Sequence, residues 1–343
     1  MNQTRWGILG CGDVCEIKSG PGFQRAAGSA LVAVMRRDAG AAEDFARRHG
    51  VPRWYADADA LIADDEVDAV YIATPPGRHL ELALKVAAAG KPCLVEKPMG
   101  RCAEEGEVMT GAFEKAGAPL FVAYYRRCLP RFQKVAEHLG GMGRVREVRY
   151  TLRKKPLSFD AVAGPPWRVR AEASGGGLFM DVGCHALDLI DHLCGPLLNV
   201  TGFAENRDGR YPAEDHVELR WGHESGGQGL AVFEFTASAE ADELRIVAEA
   251  GSISVPVFEE GDIRIETAAG VSRETVSHPP HVHQPLIQSV VDELAGVGAC
   301  PSGARSAMRT SRVMDAVLSG YYGKRTGGFW NDSSSWPGLS QGA

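Results

Sequence analysis

The stretch RWGILGCGDVC, Arg5–Cys15, decides the fold. Apolar residues run without alternation into Gly10-Cys11-Gly12, and a helix-forming segment opens at Asp13-Val14. A strand covered on both faces has this continuous apolar pattern. The spacing fits G-x-G-x-x-G/A, with Cys15 as the small third residue. Gly10 permits a tight turn. Gly12 lets the backbone approach a pyrophosphate whose charge rests on a helix N-terminus. Strand, glycine turn and helix start a βαβ unit, the context that gives the glycine pattern its meaning.

Working outward, the pattern repeats. ALVAVMRR, DAVYIATPP, KPCLVEK and PLFVAYY are apolar strands. The helices GAAEDFARRHG, HLELALKVAAAG and AEEGEVMTGAFEKAG alternate with them, the first two closed by Gly50 and Gly90. This predicts an α/β fold that begins with a doubly wound parallel sheet, a dinucleotide-binding Rossmann domain over residues 1–125. After about residue 127 the period changes to two. VREVRYTLRK, LLNVTGFAEN, HVELRWG, GLAVFEFTAS, ADELRIVAEA and GSISVPVFE alternate polar and apolar residues. They predict an open mixed, largely antiparallel sheet with helices on one face, over residues 126–330. LFMDVGCHALDLIDHLCG is a helical segment inside this series. Helices near 284–297 and 303–323 close the fold and can pack back on the Rossmann domain. The polar, Gly/Ser-rich residues 331–343 read as a flexible tail.

The chain's 343 residues exceed one compact core, consistent with two domains. A net charge of -7 with interspersed signs argues against nucleic acid as a partner. No run approaches the ~18 apolar residues of a membrane span. MNQTRWGILGCG lacks the basic and long apolar regions of a signal peptide. The eight cysteines form no CxxC pair and read as reduced thiols of a cytoplasmic protein.

The end of the second strand bears on the dinucleotide. NAD enzymes usually place an acid there to hold the ribose hydroxyls. Here Arg36 and Arg37 occupy the tip, and two guanidiniums suit a 2′-phosphate. Asp38 falls one step late, at the start of the next helix. NADP(H) is therefore favoured, with NAD(H) as the alternative.

Together GILGCGDV, ATPPGRH, VEKPM, YYRR and GGGLFMDVGCHALDLI resemble the Gfo/Idh/MocA family of nicotinamide-dependent sugar and polyol oxidoreductases, over nearly the whole chain. The resemblance implies a Rossmann domain followed by a mixed-sheet domain, both contributing to the site. It also implies a homodimer or homotetramer formed through the C-terminal sheet. It places Gly10, Cys11, Gly12, Asp13, Val14, Thr74, Pro75, His79 and Glu96 along the cofactor, and Lys97 beside the nicotinamide. Pro98 restricts the lysine's backbone, and a cis Lys97-Pro98 bond is implied. Trp167-Arg168 and His283 match positions that lie near the cofactor in relatives. Asp181 and His185, four apart, share one face of a helical turn. The resemblance assigns His185 as general acid/base, Asp181 as its orienter and substrate contact, and Lys97 as donor to the reacting oxygen. Tyr124, Tyr125 and Arg126 end a sheet strand and are expected to face substrate. Lys18 departs from the commoner family pattern and either projects to substrate or is solvated.

A metal reading of Asp181, His185, Asp188 and His192 fails on length. Four ligands spread over roughly 16 Å of helix cannot close around one ion, so no metal is expected. The resulting expectation is an NADP(H)-dependent dehydrogenase or reductase acting on a secondary alcohol or ketone of a sugar, cyclitol or derivative. Two alternatives keep the scaffold: a non-catalytic NADP-sensing regulator, and elimination or glycosidase chemistry with tightly bound NAD.

Overall fold

The computed structural model describes residues 3–160 and 162–340. The chain divides into two compact units. The first takes residues as far as Gly100, then Glu105–Leu129, and finally His278–Met308. The second takes Arg101–Glu104, Pro130–Ser277 and the chain from Arg309 onward.

The first unit is built on six strands: β1 (Thr4–Leu9), β2 (Ser29–Met35), β3 (Arg53–Tyr55), β4 (Ala69–Ile72), β5 (Cys93–Val95) and β6 (Leu120–Val122). Their order is β3-β2-β1-β4-β5-β6 and every pair is parallel. All side chains of β4, β5 and β6 are buried, because helices cover both faces. The turns after β1, β4 and β5 therefore lie at one carboxyl edge, where such sheets bind ligands. Residues His278–Met308 return to this unit although they are distant in sequence. Their helix Gln284–Leu294 buries Leu286, Ile287, Val290 and Val291. A Cβ on Gly22 would lie 2.9 Å from Ile287, so this apolar stripe packs directly on the helix Gly20–Arg25. Gln288 accepts from the Ala27 N–H at 2.7 Å, and Ser302 donates to the Val122 carbonyl at 2.7 Å.

The second unit is built on eight strands: β7 (Val145–Arg153), β8 (Leu198–Glu205), β9 (His216–Gly222), β10 (Gln228–Glu234), β11 (Ala241–Ala248), β12 (Gly251–Val255), β13 (Ile263–Thr267) and β14 (Gly270–Glu274). Their order is β14-β13-β12-β11-β7-β10-β9-β8. Only β7 and β10 run parallel; the other neighbours are antiparallel. The sheet is thus mixed and mostly antiparallel. Alternate residues of β7, β10 and β11 are buried, which is the period-two pattern of a sheet covered on one face. Val148, Tyr150 and Leu152 point into that core, and Phe233 meets Phe179 edge-on at 4.9 Å.

The flexible tail expected over 331–343 is corrected as far as Ser340; residues 341–343 lie outside the described chain. Two 3₁₀ turns and the helix Pro337–Ser340 follow Gly328. Trp336 is buried, its ring 4.6 Å from that of Tyr322, and its indole N–H donates to the Phe329 carbonyl at 2.8 Å. One large aromatic outweighs the polar composition around it. No helix among the described residues is long and apolar enough to cross a membrane.

Candidate functional site

In the first unit, Gly10 follows β1 with φ +91°, and a Cβ there would lie 2.8 Å from Thr74. Only glycine meets both conditions without strain. The Gly10 and Cys11 N–H groups donate to the Met35 carbonyl, which ties the turn to the tip of β2. A Cβ on Gly12 would meet nothing nearer than 4.0 Å, so its face is open. Asp13 and Val14 start the helix Asp13–Ile17. Thr74 Oγ1 is buried without a partner among the described residues. An open glycine face beside an unsatisfied hydroxyl fits a dinucleotide at this edge. Arg36 and Arg37 are exposed at the tip of β2. Burial pushes the Cys11 thiol up to about 11, and the Arg36 charge acts against it. Asp38 caps the next helix, accepting from the Ala41 N–H at 3.0 Å. Pro75 is exposed and Lys18 lies on the surface at the end of the first helix.

His79, expected along the cofactor, is fully buried. Its Nε2 lies 2.8 Å from the Thr74 carbonyl, and its Nδ1 lies 3.1 and 3.3 Å from the Pro98 and Met99 carbonyls. Burial lowers its pKa, opposed by those carbonyls. His79 thus braces the loop after β4 against the backbone following Lys97, and the Lys97-Pro98 bond is cis.

Glu96, also expected along the cofactor, makes its hydrogen bonds inside the unit. It is buried; Tyr71 Oη donates to its Oε1, and His283 Nε2 lies 3.0 Å from the same oxygen. Its Oε2 accepts from the Lys97 N–H at 3.1 Å. Burial alone raises a carboxyl; His283, the Lys97 charge and Tyr71 outweigh it and hold Glu96 at about 2. The Tyr71 hydroxyl is pushed well up by burial and by the Glu96 charge. His283 is the residue before the helix Gln284–Leu294, and its ring lies 4.3 Å from that of Tyr125. Tyr125 in turn accepts from Arg126 at 3.0 Å. Tyr124, Tyr125 and Arg126 are all buried, a packed aromatic-basic cluster.

In the second unit, Asp181 lies in a π-helical turn, Phe179–Gly183, that runs into the helix Cys184–Cys194. An ordinary helix was expected there; single π turns are often found at functional sites. His185 is buried in the first turn of the following helix, edge-on to Phe258 at 6.2 Å. Arg168 was expected near the cofactor. Its Nε lies 3.1 Å from Asp181 Oδ2, and its guanidinium stacks over the Trp167 ring at 4.5 Å. The pair Trp167-Arg168 therefore supports Asp181 directly. Asp188 accepts from Thr310, and Asp191 pairs with Arg309 at 2.5 Å, both structural roles. Glu214, which carries no periodic or motif signal, is fully buried beside Gly176 and Gly177. The first unit thus gathers the glycine turn, Thr74, Glu96, Lys97 and His283. The second gathers Arg168, Asp181 and His185.

A family model described as an oxidoreductase family with an NAD-binding Rossmann fold matches residues 4–124. A model of the GFO/IDH/MocA C-terminal domain matches residues 133–254. Oxidoreductase P35 of Formosa agariphila is 34% identical over 92% of this chain and 98% of its own length. D-apiose dehydrogenase of Paraburkholderia graminis is 27% identical, covering 74% of this chain and 67% of that protein. The solved structure of a levoglucosan dehydrogenase with NADH and levoglucosan shares the fold, with TM-score 0.81 and 22% identity, over 93% of this chain and 96% of that one.

Proposed function

Because this chain belongs to the Gfo/Idh/MocA oxidoreductase family, we propose that it transfers hydride between NADP(H) and a secondary alcohol or ketone of a sugar, cyclitol or related polyol. The observation that carries the cofactor preference is the tip of β2. Arg36 and Arg37 are open there, while Asp38, the acid that could have held ribose hydroxyls, is used as a helix cap. D-apiose and levoglucosan dehydrogenases, as their names state, act on sugars or an anhydrosugar, which supports that substrate class.

When bound, the nicotinamide supplies or accepts the hydride. Gly10, Gly12 and the N–H groups opening the helix at Asp13 would hold the pyrophosphate of the dinucleotide. Lys97 donates to the reacting oxygen and favours the negative charge that develops on it. His185 takes the proton from the substrate hydroxyl in oxidation and returns it in reduction. Asp181, steadied by Arg168, accepts a substrate hydroxyl and orients the imidazole.

Fluorescence titration is expected to show tighter binding of NADPH than NADH. Arg36→Ala should weaken NADPH about tenfold or more and leave NADH nearly unchanged; equal affinities in the unaltered protein overturn the preference. A panel of sugars, polyols and inositols with NADP+ should yield a substrate. His185→Asn should bind NADPH normally and lose turnover by a factor on the order of 100 to 10,000. Undiminished turnover in that variant removes the assigned role.

A further inference from the structure

We propose that Glu214 is a positioning residue that caps, from outside the segment, the first turn carrying Asp181 and His185. The inference rests on the reading that Asp181 and His185 handle the proton.

The first turn of any helix leaves backbone N–H groups unsatisfied. Here neither Leu178, before the π turn, nor Gly183, before the following helix, supplies a side-chain cap. The preceding residues Gly175–Gly177 have no side chains to offer. Glu214 acts on the residue that leads in: its Oε2 accepts from the Gly177 N–H at 2.8 Å, and the Gly177 carbonyl in turn accepts from the Met180 N–H at 3.1 Å, so the carboxyl is coupled to the start of the turn through Gly177. A Cβ on Gly177 would lie 2.1 Å from the Glu214 carbonyl, and one on Gly176 would lie 3.3 Å from both carboxyl oxygens. The glycines are therefore what allows this approach.

The other end of the same strap is held by a cation. Arg325 donates to the Gly175 carbonyl at 2.9 Å and to the Arg101 carbonyl at 2.7 Å, and reaches Met180 Sδ at 3.5 Å. A carboxyl grips the Gly177 amide and a guanidinium grips the Gly175 carbonyl, two residues apart. A segment fixed at both ends has few ways to rotate, so the direction in which Asp181 and His185 leave it is set.

The groups facing Glu214 are few. Tyr322 donates to Oε2, and Tyr321 precedes it on the helix Ala304–Tyr322. Arg325 acts at a distance because Asp315 pairs with it at 2.6 Å. Tyr211 and Asp215 flank Glu214 in its own loop. Oε1 is buried without a partner among the described residues. Burial dominates and moves the carboxyl up to about 7, against the pull of Tyr322, Gly177 and Arg325. The closed strap thus prefers the neutral acid, whereas an opened, hydrated Glu214 returns to 4.5. Ionisation as pH rises from 4.5 through about 7 must favour opening.

Hydrogen exchange of the full-length protein, followed on peptides covering residues 175–183 and corrected for intrinsic rates, reads this directly. Protection in the unaltered protein is expected to fall as pH rises from roughly 5 to 8, by about 70-fold in the opening constant. Glu214→Gln imitates the neutral acid and should stay protected with no pH trend. Glu214→Ala should be poorly protected throughout and lose about tenfold or more in kcat on a polyol found in the panel, with NADPH affinity unchanged; the Gln variant restores most of that kcat. If the Ala variant fails to fold, Tyr322→Phe should show a smaller loss of protection at the same peptides. Protection independent of pH in the unaltered protein overturns the proposal. So does an Ala variant with normal protection, or one whose NADPH affinity falls with its kcat. Turnover surviving in His185→Asn removes the catalytic assignment while leaving the exchange result standing.

Discussion

Glu96 and Glu214 are the same residue type, both buried, and they titrate at opposite ends of the carboxyl range. Glu96 lies at about 2 and Glu214 at about 7. Burial pushes both upward, so the difference comes from their partners. Glu96 has an imidazole at 3.0 Å, a lysine charge next in sequence, a tyrosine hydroxyl and a backbone N–H. Glu214 has a tyrosine hydroxyl, one N–H, and a guanidinium already paired with Asp315. A buried acid stays ionised when a cation is its own, and becomes titratable when that cation is shared. The first arrangement suits a fixed charge beside a lysine; the second suits a support that can be loosened.

The comparison can be broken by experiment. The largest effect is expected from Glu96→Leu, which leaves His283 and Tyr71 buried without their acceptor; a loss of about 3–5 kcal/mol in chemical denaturation is expected, and a loss under about 1 kcal/mol contradicts the network. Next is Glu214→Gln. Because the folded-state pKa is raised, Glu214 weakens folding as pH climbs from 4.5 through about 7. The Gln variant should therefore melt higher than the unaltered protein near pH 8, by up to about 3 kcal/mol. It should match the unaltered protein near pH 4. For Glu96 the sign reverses: its lowered pKa contributes stability that is present above 4.5 and lost toward about 2. His283→Phe should shift that acid loss to higher pH, making Glu96 behave more like Glu214, and costs roughly 2 kcal/mol near neutrality. An unmoved acid midpoint would show that His283 does not hold the charge. Tyr322→Phe is the smallest change, about 1 kcal/mol, and should move the Glu214 titration further upward.

Much of the first unit was legible because its signals are local. The apolar run Ile8-Leu9 into Gly10 reads as strand and turn, and Asp38 one step past Arg37 reads as a cap. Lys97 before Pro98 was visible as an aimed lysine through a family resemblance. What escaped depends on contacts across long separations. Glu96 meets His283 over 187 residues, and no composition or period reports that. His79 was recognised as part of a motif, but its hydrogen bonds to the Thr74, Pro98 and Met99 carbonyls were not legible from that pattern. The π turn at Phe179–Gly183 escaped because its apolar spacing is also that of an α-helix. Glu214 sits in an acidic dipeptide that looks like an ordinary solvated loop. The packing of Trp336 escaped because the residues around it are polar and Gly/Ser-rich.

That tryptophan has a practical meaning. Trp336 packs on Tyr322, and the hydroxyl of Tyr322 rests on Glu214. Deleting the final turn to tidy the chain for crystallisation, or fusing a bulky reporter immediately after Pro337, therefore reaches the strap before Asp181 through two aromatic rings. A preparation shortened in this way is expected to register as a sluggish enzyme with an intact nucleotide site, and its kinetics should not be taken for those of the whole protein.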